Sequence, residues 1–351
     1  MNIGIICEFN PFHLGHKHLI DSVKKDDDNV ICCMSGNFVQ RGEFAVYDKF
    51  VRTKIALQNG ADIVIELPTV YSTLSAEGFC KAGIEILEST GIIDKIAFGA
   101  ENDNIEELKT LAQTLKEPAT QEIIKEEMKK GFSYPVARKN VIDSDLIDSP
   151  NNILGIEYLK ATKLPAVAVK RIGKGHDSDD KDYSASEIRK TLDINEISSM
   201  KNCESAILSK LRRMTKDDFL KIEDVNEGLQ NRIFDAVRNA TSLEELYNLI
   251  KSKRYTHSRI RRIILRAYLD IYEIPKEVPY IRILGFNEKG RKLLSNMKKN
   301  STKPIITKIS DCDDKTISFF EQECKFTDLY NLGYKKPLPC GTEQRSQIVI
   351  M

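Results

Sequence analysis

The chain begins with a short apolar run that leads into two closely spaced histidines, in the stretch Gly4-Ile5-Ile6-Cys7-Glu8-Phe9-Asn10-Pro11-Phe12-His13-Leu14-Gly15-His16. Residues 3–9 are mainly apolar, which predicts a buried parallel strand. Asn10-Pro11 interrupts this run, and residues 16–25 have the spacing of an amphipathic helix. The two histidines are therefore predicted to lie where a strand gives way to a helix.

This position suits the binding of phosphate. A helix N-terminus offers free N–H groups and a partial positive charge, and Gly15 allows a ligand to come close to the backbone. The imidazoles of His13 and His16 can donate hydrogen bonds to a developing phosphoryl charge. Alternatively, one histidine caps the helix and the other packs in the core, but the His-x-Gly-His spacing after the first strand favours a ligand site.

The length and composition of the chain limit the classes of protein to which it can belong. A chain of 351 residues with 41% hydrophobic and 30% charged residues is typical of a globular protein, and this length favours two domains. No apolar run reaches membrane-spanning length, and we expect no signal peptide because the N-terminus enters a strand at once. The eight cysteines form no C-x-x-C pair, which predicts reduced, mostly buried thiols, a cytoplasmic location and no zinc site.

Charge is distributed unevenly along the chain. Residues 1–200 contain 24 Lys and Arg against 32 Asp and Glu, whereas residues 201–310 contain 24 against 13. An acidic first half followed by a basic second half indicates a small-molecule site beside a surface that binds a polyanion.

Apolar strand patterns alternate with helical patterns through the first half. After the first strand and helix, strands are predicted at residues 29–34, 61–67 and 95–98, separated by helices at 48–59 and 76–89. This alternation predicts an α/β fold with a parallel sheet. Residues 35–43 form a loop at the end of the second strand, where Arg41 either meets a substrate anion or is simply solvated. Residues 104–131 are predicted to be a helical insertion.

Two further polar segments precede the second half. In Ser149-Pro-Asn-Asn-Ile-Leu-Gly155, which leads into a helix at 153–162, Asn151 or Asn152 is predicted to be an N-cap, although either side chain can also contact a ribose or a base. A fifth strand is predicted at 165–172, followed by a polar loop. In Ser184-Ala-Ser-Glu-Ile-Arg189, the serines and Arg189 predict a second phosphate clamp at a helix start, with a plain N-cap as the alternative.

The second half of the chain has mainly helical sequence patterns. Helical patterns follow one another at residues 204–213, 217–222, 227–238 and 243–252, and short strands are possible at 281–285 and 304–307. Residues 251–266 contain seven cations and no acid. An apolar stripe through this run predicts a helix that leaves its arginines on the other faces. Cations interleaved with aromatic side chains favour nucleic-acid binding.

The two motifs His13-x-Gly-His16 and Ser184–Arg189 together resemble those of the nucleotidyltransferase superfamily, with Tyr183 in place of the usual isoleucine. The likeness to the bacterial tRNA(Met) cytidine acetate ligase family is closer and covers most of the chain. It is carried by the following segments: Gly4–His16, Met34-Ser-Gly-Asn-Phe-Val-Gln-Arg-Gly-Glu43, Ile65-Glu-Leu-Pro68, Ser149–Gly155 and Tyr255-Thr-His-Ser-Arg-Ile-Arg-Arg262.

The resemblance implies an ATP-dependent ligase that activates acetate as acetyladenylate and transfers the acetyl group to the wobble cytidine of elongator tRNA(Met). It implies catalytic roles for His13, His16 and Arg189, with Mg²⁺ accompanying ATP. The implied ATP-binding residues are Ile6, Cys7, Glu8, Phe9, Asn10, Pro11, Phe12, His13, Leu14, Gly15, His16, Lys17, His18, Leu19, Gly99, Asn151, Asn152, Arg171, Ser186 and Arg189.

The implied architecture is a Rossmann-like (HUP-type) domain at residues 1–198, followed by a mainly helical, basic, tRNA-binding domain at 199–351. Acetate, ATP and tRNA(Met) are the expected partners, with no DNA and no membrane. The predicted tRNA-binding residues are Lys253, Arg254, Tyr255, Arg259, Arg261 and Arg262.

Three other functions would be compatible with some of these motifs. A cofactor adenylyltransferase would share the fold, but it needs no polyanion surface. A class I aminoacyl-tRNA synthetase also uses His-x-Gly-His, yet Arg213-Met-Thr-Lys216 lies too deep in the helical region to be its second motif. A non-catalytic RNA-binding protein would not need both histidines and Arg189.

Overall fold

The structure, a computed structural model, describes residues 1–172, 185–226 and 228–351, apart from the side chain of Ser186. It contains the following strands: β1 Asn2–Cys7, β2 Asn29–Ser35, β3 Phe38–Val39, β4 Glu43–Phe44, β5 Ile63–Leu67, β6 Lys95–Ala100, β7 Ala166–Lys170, β8 Ile281–Phe286, β9 Ile305–Ile306 and β10 Val349–Ile350.

The first group of helices surrounds these strands: α1 Leu14–Val23, α2 Lys49–Gln58, α3 Thr69–Ser72, α4 Ala76–Ser89, α5 Ile105–Lys116, α6 Pro118–Lys129, α7 Tyr134–Val141, α8 Pro150–Ala161 and α9 Ala185–Thr191. The second group follows residue 200: α10 Glu204–Arg212, α11 Lys216–Leu220, α12 Leu229–Asn239, α13 Leu243–Ile250, α14 His257–Leu269, α15 Glu288–Asn300, α16 Ile317–Tyr330 and α17 Thr342–Arg345.

The central sheet has the strand order β10-β8-β5-β2-β1-β6-β7, with β9 paired to β8. Its five strands from the first half are mutually parallel, as predicted. Every residue of β5 is buried, and so are six of the seven residues of β2. Strands covered on both faces need continuous apolar sequence, which is why these segments could be recognised.

The sheet places the candidate site at a topological switch point. The chain passes from β1 to β2 and β5 on one side, and then crosses back to place β6 and β7 on the other side of β1. Ligands of open α/β sheets bind in the crevice outside the carboxyl ends of the strands at such a point. The loops after β1, β6 and β7 all open at this edge.

Several predicted boundaries need correction. Helix α1 begins at Leu14 and not at residue 16, with His13 as its N-cap. Helix α8 begins at Pro150 with Ser149 at the N-cap position, so neither Asn151 nor Asn152 caps it. The segment predicted as an open loop after β2 contains a two-stranded antiparallel hairpin, β3–β4, in which Phe38 pairs with Phe44.

The second half contributes to the same sheet. Strand β8 runs antiparallel to β5, with Ile63 opposite Phe286 and Ile65 opposite Ile283. The division at residues 198 and 199 remains a prediction. Any such boundary has to accommodate the hydrogen bonds that join β8 to the N-terminal sheet.

A cluster of buried charges, which we call the sheet-edge network, holds this junction. Lys49 of α2 lies between two carboxylates, 2.6 Å from Glu66 of β5 and 2.8 Å from Glu343 of α17. Arg282 of β8 contacts the same two carboxylates, at 3.0 Å from Glu66. All four side chains are at most 3% exposed. Although burial opposes its ionisation, Lys49 and Arg282 lower the pKa of Glu343 to about 2.

Two further expectations can be compared with the structure. All eight cysteines are free and six are buried, as predicted. Among the described residues, the structure contains no helix whose length and apolar character would allow it to cross a membrane.

Replacing Arg282 tests the sheet-edge network. In Arg282→Met, Glu66 and Glu343 remain buried and Lys49 is the one cation of the network left to pair with them. We therefore expect the free energy of unfolding to fall by about 3–5 kcal/mol in urea titrations. Arg291→Met, which removes an exposed arginine of α15, should change it by about 0.5 kcal/mol or less. Equal losses in the two variants would contradict a structural role for the network.

Candidate active site

The loop after β1 is organised by the two histidines that its sequence singled out. The Nδ1 atom of His13 accepts a hydrogen bond from the backbone N–H of Gly15 at 3.0 Å, and Nδ1 of His16 accepts one from the backbone N–H of His13 at 3.3 Å. The two side chains thus form a reciprocal capping box at the start of α1. Their rings stack with centroids 3.7 Å apart.

This capping arrangement determines the tautomer of each ring. An imidazole nitrogen that accepts a hydrogen bond carries no proton, so the proton of the neutral ring lies on the other nitrogen. The Nε2 atoms of His13 and His16 are therefore N–H donors. Helix capping and ligand binding, treated as alternatives in the sequence analysis, are compatible because they use different nitrogens of the same rings.

The surroundings keep both rings neutral. Burial, together with the guanidinium groups of Arg171 and Arg189, lowers the pKa of His13 to about 4. Burial and the neighbouring His13 and Arg171 lower the pKa of His16 well below its usual value. At neutral pH the pair can donate hydrogen bonds to an anion without repelling the nearby arginines.

Two arginines from distant parts of the chain approach this loop. Arg189 of α9 donates from Nη1 to the carbonyl oxygen of Asn10 at 2.6 Å. Arg171 follows β7, and its backbone N–H donates to the Ala100 carbonyl at the end of β6 at 3.0 Å. Both guanidinium groups lie near enough to His13 to lower its pKa, and Arg171 also acts on His16, so the structure brings these four side chains together. Two neutral donors and two cations at a helix N-terminus form a site suited to a polyphosphate.

The third side of the crevice comes from α8 and the loop after β6. The Asn152 side-chain oxygen accepts the backbone N–H groups of Glu101 and Asn102 at 3.0 and 3.2 Å. Asn151 donates to the Glu101 carboxylate at 2.5 Å, and Nε of Arg171 lies 4.0 Å from the same carboxylate. The side-chain oxygen of Asn152 therefore shapes the loop after β6. Glu101 is a site residue that the sequence motifs did not indicate.

The next predicted ATP-binding residues lie in β1, in the loop that follows it and at the start of α1. Ile6 and Cys7 lie in β1, and burial raises the pKa of the Cys7 thiol. The Phe9 ring packs 4.9 Å from both Phe12 and His16, measured between centroids. Leu14 is exposed.

Several of these residues make contacts outside the crevice. Lys17 pairs with Asp21 on α1, and Nε2 of His18 lies 3.2 Å from the Lys170 carbonyl. Leu19 packs against the core. Pro11 is buried in the loop, Gly15 lies in α1 and Gly99 lies in β6. The predictions for the side chain of Ser186 and for the loop 173–184 fall outside the described residues.

The β3–β4 hairpin links this crevice to the basic helix α14. Its Gln40 backbone N–H donates to the Glu8 carboxylate, just after β1, at 2.6 Å. Burial raises the pKa of that carboxyl. On the other side of the same turn, Glu43 forms an ion pair with Arg261 of α14. Arg41, between these contacts, is exposed.

A buried arginine missed by the sequence analysis supports both strand ends. Arg52 of α2 is fully buried and donates to the carbonyl oxygens of Glu8 at 2.7 Å and Ser35 at 3.1 Å, as well as to that of Gly36. It thereby ties the loop after β1 to the loop after β2. An arginine within a helical pattern is ordinarily read as solvent-facing, so its sequence carried no signal of this role.

Helix α14 differs from its prediction in one respect. Its apolar stripe is buried as expected, through residues Ile260, Ile263, Ile264 and Ala267. Arg262 and Arg266 lie off this stripe, as predicted, but other elements bury them, so they are not available to a ligand at the surface. Arg266 donates to the Thr73 hydroxyl at 3.4 Å, and its pKa is lowered to about 10 by burial.

Most of the predicted tRNA-binding side chains also make internal contacts. Tyr255 is buried beneath the Arg259 guanidinium, which lies 5.3 Å from the ring centroid. Arg259 donates to the Asp224 carbonyl at 2.6 Å, and Arg262 lies 3.8 Å from the Asp224 carboxylate.

The other members of the set are more accessible. Lys253 is exposed, and Arg254 and Arg261 are partly exposed. The surface at this end of α14 therefore combines Lys253, Arg254, Arg259 and Arg261 above a supporting layer of Tyr255 and Arg262.

The parallel sheet, the His-x-Gly-His cap and the convergent arginines together define a nucleotidyltransferase of the HIGH type. A family model described as HIGH Nucleotidyl Transferase matches residues 1–206 and 193–345. The chain belongs to the tRNA(Met) cytidine acetate ligase family, which confirms the resemblance inferred from its motifs. It is 36% identical to the tRNA(Met) cytidine acetate ligase of Acetivibrio thermocellus, with 99% of each chain covered. It is 39% identical to that of Clostridium novyi, with 88% of this chain and 90% of the relative covered.

Solved structures show the same relationship. The chain is similar to the crystal structure of Thermotoga maritima TmcAL bound with alpha-thio ATP, with a TM-score of 0.88 and 30% identity, covering 100% of this chain and 99% of that one. The apo form of the same protein gives a TM-score of 0.85 at 29% identity, with the same coverage. The predicted α/β nucleotidyltransferase fold is thereby confirmed.

The neutrality of the histidine pair can be measured by NMR. With ¹³C-labelled histidine, we expect the ring signals of His13 and His16 to remain unchanged from pH 8 to pH 5.5, because the folded pKa of His13 is about 4. Below pH 6.5, the ordinary pKa of histidine, His13 binds a proton in the unfolded chain but not in the folded one. The contribution of His13 to stability is therefore lost as the pH falls from 6.5 towards 4. Signals are assigned with His13→Gln and His16→Gln. A midpoint above pH 6 for either ring would contradict the neutral pair.

Gly42 allows the hairpin to touch α14. It has a φ of +74°, and a Cβ atom there would lie 2.4 Å from the Arg262 nitrogen and 2.5 Å from the Arg261 carbonyl carbon. We expect Gly42→Ala to destabilise the fold by more than Gly131→Ala, measured by urea unfolding. Gly131 also has a positive φ, at +96°, but a Cβ atom there would meet nothing within 4 Å. Gly131→Ala should therefore lower the free energy of unfolding by about 1 kcal/mol. Equal losses would show that the hairpin does not depend on this contact.

Proposed function

We propose that this protein activates acetate with ATP and transfers the acetyl group to the wobble cytidine of elongator tRNA(Met), forming N4-acetylcytidine. The observation that carries the proposal is the convergence of His13, His16, Arg171 and Arg189 at the switch point of a chain that matches the ligase family along its whole length. The tRNA substrate would place the reaction in the cytoplasm.

In the first half-reaction, a carboxylate oxygen of acetate attacks the α-phosphate of ATP and pyrophosphate leaves. Negative charge develops on the phosphoryl oxygens, so catalysis depends mainly on positioning and on charge stabilisation. We assign the Nε2–H donors of His13 and His16 to these oxygens. Because both rings stay neutral, they stabilise this charge as hydrogen-bond donors and do not transfer a proton to the phosphoryl oxygens. Arg171 and Arg189 would hold the phosphates and the leaving pyrophosphate.

Nucleotide binding is supported by the neighbouring TmcAL structure, which contains alpha-thio ATP. We propose that ATP lies along residues 6–19, with Gly99, Asn151 and Asn152 on the side of β6 and α8. Among the described residues, no group of three or more His, Cys, Asp or Glu side chains is arranged to hold a metal ion. Mg²⁺, proposed as the companion of ATP, would therefore bind chiefly through phosphate oxygens and water.

In the second half-reaction, the exocyclic amine of cytidine attacks the acetyl carbonyl and AMP leaves. We propose that tRNA binds residues 199–351 through Lys253, Arg254, Arg259 and Arg261. Tyr255 and Arg262, which are buried, would hold α14 in place rather than contact RNA. The ion pair between Arg261 and Glu43 brings this surface next to the hairpin that reaches Glu8, so the two half-reactions would share one wall.

The experiment incubates the protein with ATP, ¹⁴C-acetate and bulk bacterial tRNA, and follows both acetate-dependent pyrophosphate exchange and label in RNA. We expect both signals in the wild type and a loss of at least about 100-fold in exchange with His16→Asn, which removes one imidazole donor to the phosphoryl charge. His257→Asn removes an exposed imidazole of α14 and should leave exchange unchanged.

The two signals separate the possible failures. Exchange without label in RNA would support acetate activation and contradict the tRNA acceptor. Neither signal, with ATP still binding, would favour the cofactor adenylyltransferase alternative.

A further inference from the structure

Helix α15 carries a cationic surface that the assignment of tRNA binding to α14 leaves unused. Its exposed residues include five cations and one carboxylate, Glu288, in the first turn. The cations are Lys289, Arg291, Lys292, Lys298 and Lys299. Lys289 donates to the Asp26 carbonyl at 3.0 Å, and none of the other four has a carboxylate partner within 4.0 Å among the residues that the structure describes. This differs from α14, where Arg259, Arg261 and Arg262 all contact neighbouring elements.

The helix is rigidly attached to the sheet. Its N-cap, Asn287, accepts from the Gly290 N–H at 2.9 Å and donates to the Asp62 side chain at 2.9 Å. A Cβ atom at Gly290 would lie 2.0 Å from the Asp62 carbonyl oxygen, so only glycine permits this approach. At the far end Met297 is fully buried, and Thr302 donates to the Ser89 carbonyl at 2.9 Å. The cations are therefore presented from a fixed backbone.

The arrangement of the exposed face has a regular pattern. Arg291 and Lys292 lie two turns before Lys298 and Lys299, which separates the two pairs by about 10 Å along the axis. Between them lie Ser295 and Asn296, which are small, polar and exposed. Two pairs of cations that flank uncharged hydrogen-bonding groups match the backbone of paired RNA, where phosphates border a shallow groove lined by 2′-hydroxyl groups.

The position of α15 determines which part of an RNA it meets. The helix packs against Asp62, just before β5, and against the loop before β2, at the amino ends of the parallel strands. The histidine site lies at their carboxyl ends. The seven residues of β2 span roughly 20 Å, so α15 is about that far from the phosphoryl site. A contact at this distance falls on the body of the RNA and not on the reacting base.

We propose that the exposed face of α15 binds the phosphate backbone of a paired region of the tRNA. This inference rests on the proposed function, since it takes tRNA as the substrate. The surface would hold the RNA electrostatically, without reading its sequence, while the crevice at the opposite edge of the sheet carries out the chemistry.

The test neutralises the four cations together, in the variant Arg291→Gln, Lys292→Gln, Lys298→Gln, Lys299→Gln. We expect its affinity for tRNA at 100 mM salt to fall about 10-fold or more. The magnitude of the slope of log K against log salt concentration should decrease by about 3, because each of the four lost phosphate contacts contributes about 0.7–0.9. The KM for tRNA should rise, whereas acetate-dependent pyrophosphate exchange should be unchanged.

Two controls make the result specific. A matched variant removes four exposed cations elsewhere, Lys81→Gln, Lys116→Gln, Lys125→Gln and Lys129→Gln, and should bind tRNA like the wild type. A charge-preserving variant, Arg291→Lys, Lys292→Arg, Lys298→Arg and Lys299→Arg, should also bind normally and with the wild-type salt slope.

The outcomes distinguish this inference from the proposed function. If the wild type acetylates tRNA and the α15 variant matches it in affinity and salt slope, only the assignment of α15 is overturned. An equal loss of tRNA affinity in the matched variant would show a general effect of net charge. That result would also overturn the assignment of α15. If the wild-type protein binds no tRNA, the acceptor half of the proposed function fails, and the α15 assignment fails with it.

Discussion

The pairing of β8 with β5, secured by the sheet-edge network, joins the two ends of the chain into one structure. Lys49 and Glu66 come from the first fifth of the sequence, whereas Arg282 and Glu343 come from its last quarter. Buried charges are costly when unpaired, so each member depends on the others being in place. The network therefore makes the sheet that carries the nucleotide crevice dependent on residues more than two hundred positions away.

The crevice shows how a local structural requirement serves chemistry. A helix N-terminus needs acceptors for its free N–H groups, and here two imidazole nitrogens satisfy that need. Each ring accepts the capping hydrogen bond at Nδ1 and carries its proton on Nε2. Burial and the nearby Arg171 keep both rings neutral. The capping geometry thus prepares the hydrogen-bond donors that phosphoryl transfer requires, before any substrate is bound.

The hairpin β3–β4 is the physical connection between the crevice and the basic region. At its turn, the Gln40 N–H donates to the Glu8 carboxylate and Glu43 pairs with Arg261, while Gly42 lies against the backbone of α14. In a two-step reaction the second substrate has to reach an intermediate formed by the first. A rigid element that touches both regions is suited to keep them in register.

The sequence alone determined the order of elements and the location of the histidine site. Buried parallel strands have continuous apolar sequence, and helices have their own period, so β1, β2, β5, β6 and β7 could be placed within a few residues. The His-x-Gly-His motif after β1 also located the site, because strand ends in an α/β sheet converge on one edge. Only the tertiary structure decided the tautomers of the histidines, the burial of Arg52, Arg262 and Arg266, and the antiparallel addition of β8. Each of these depends on which distant segment packs against a side chain, and the spacing of residues along the chain contains no record of that.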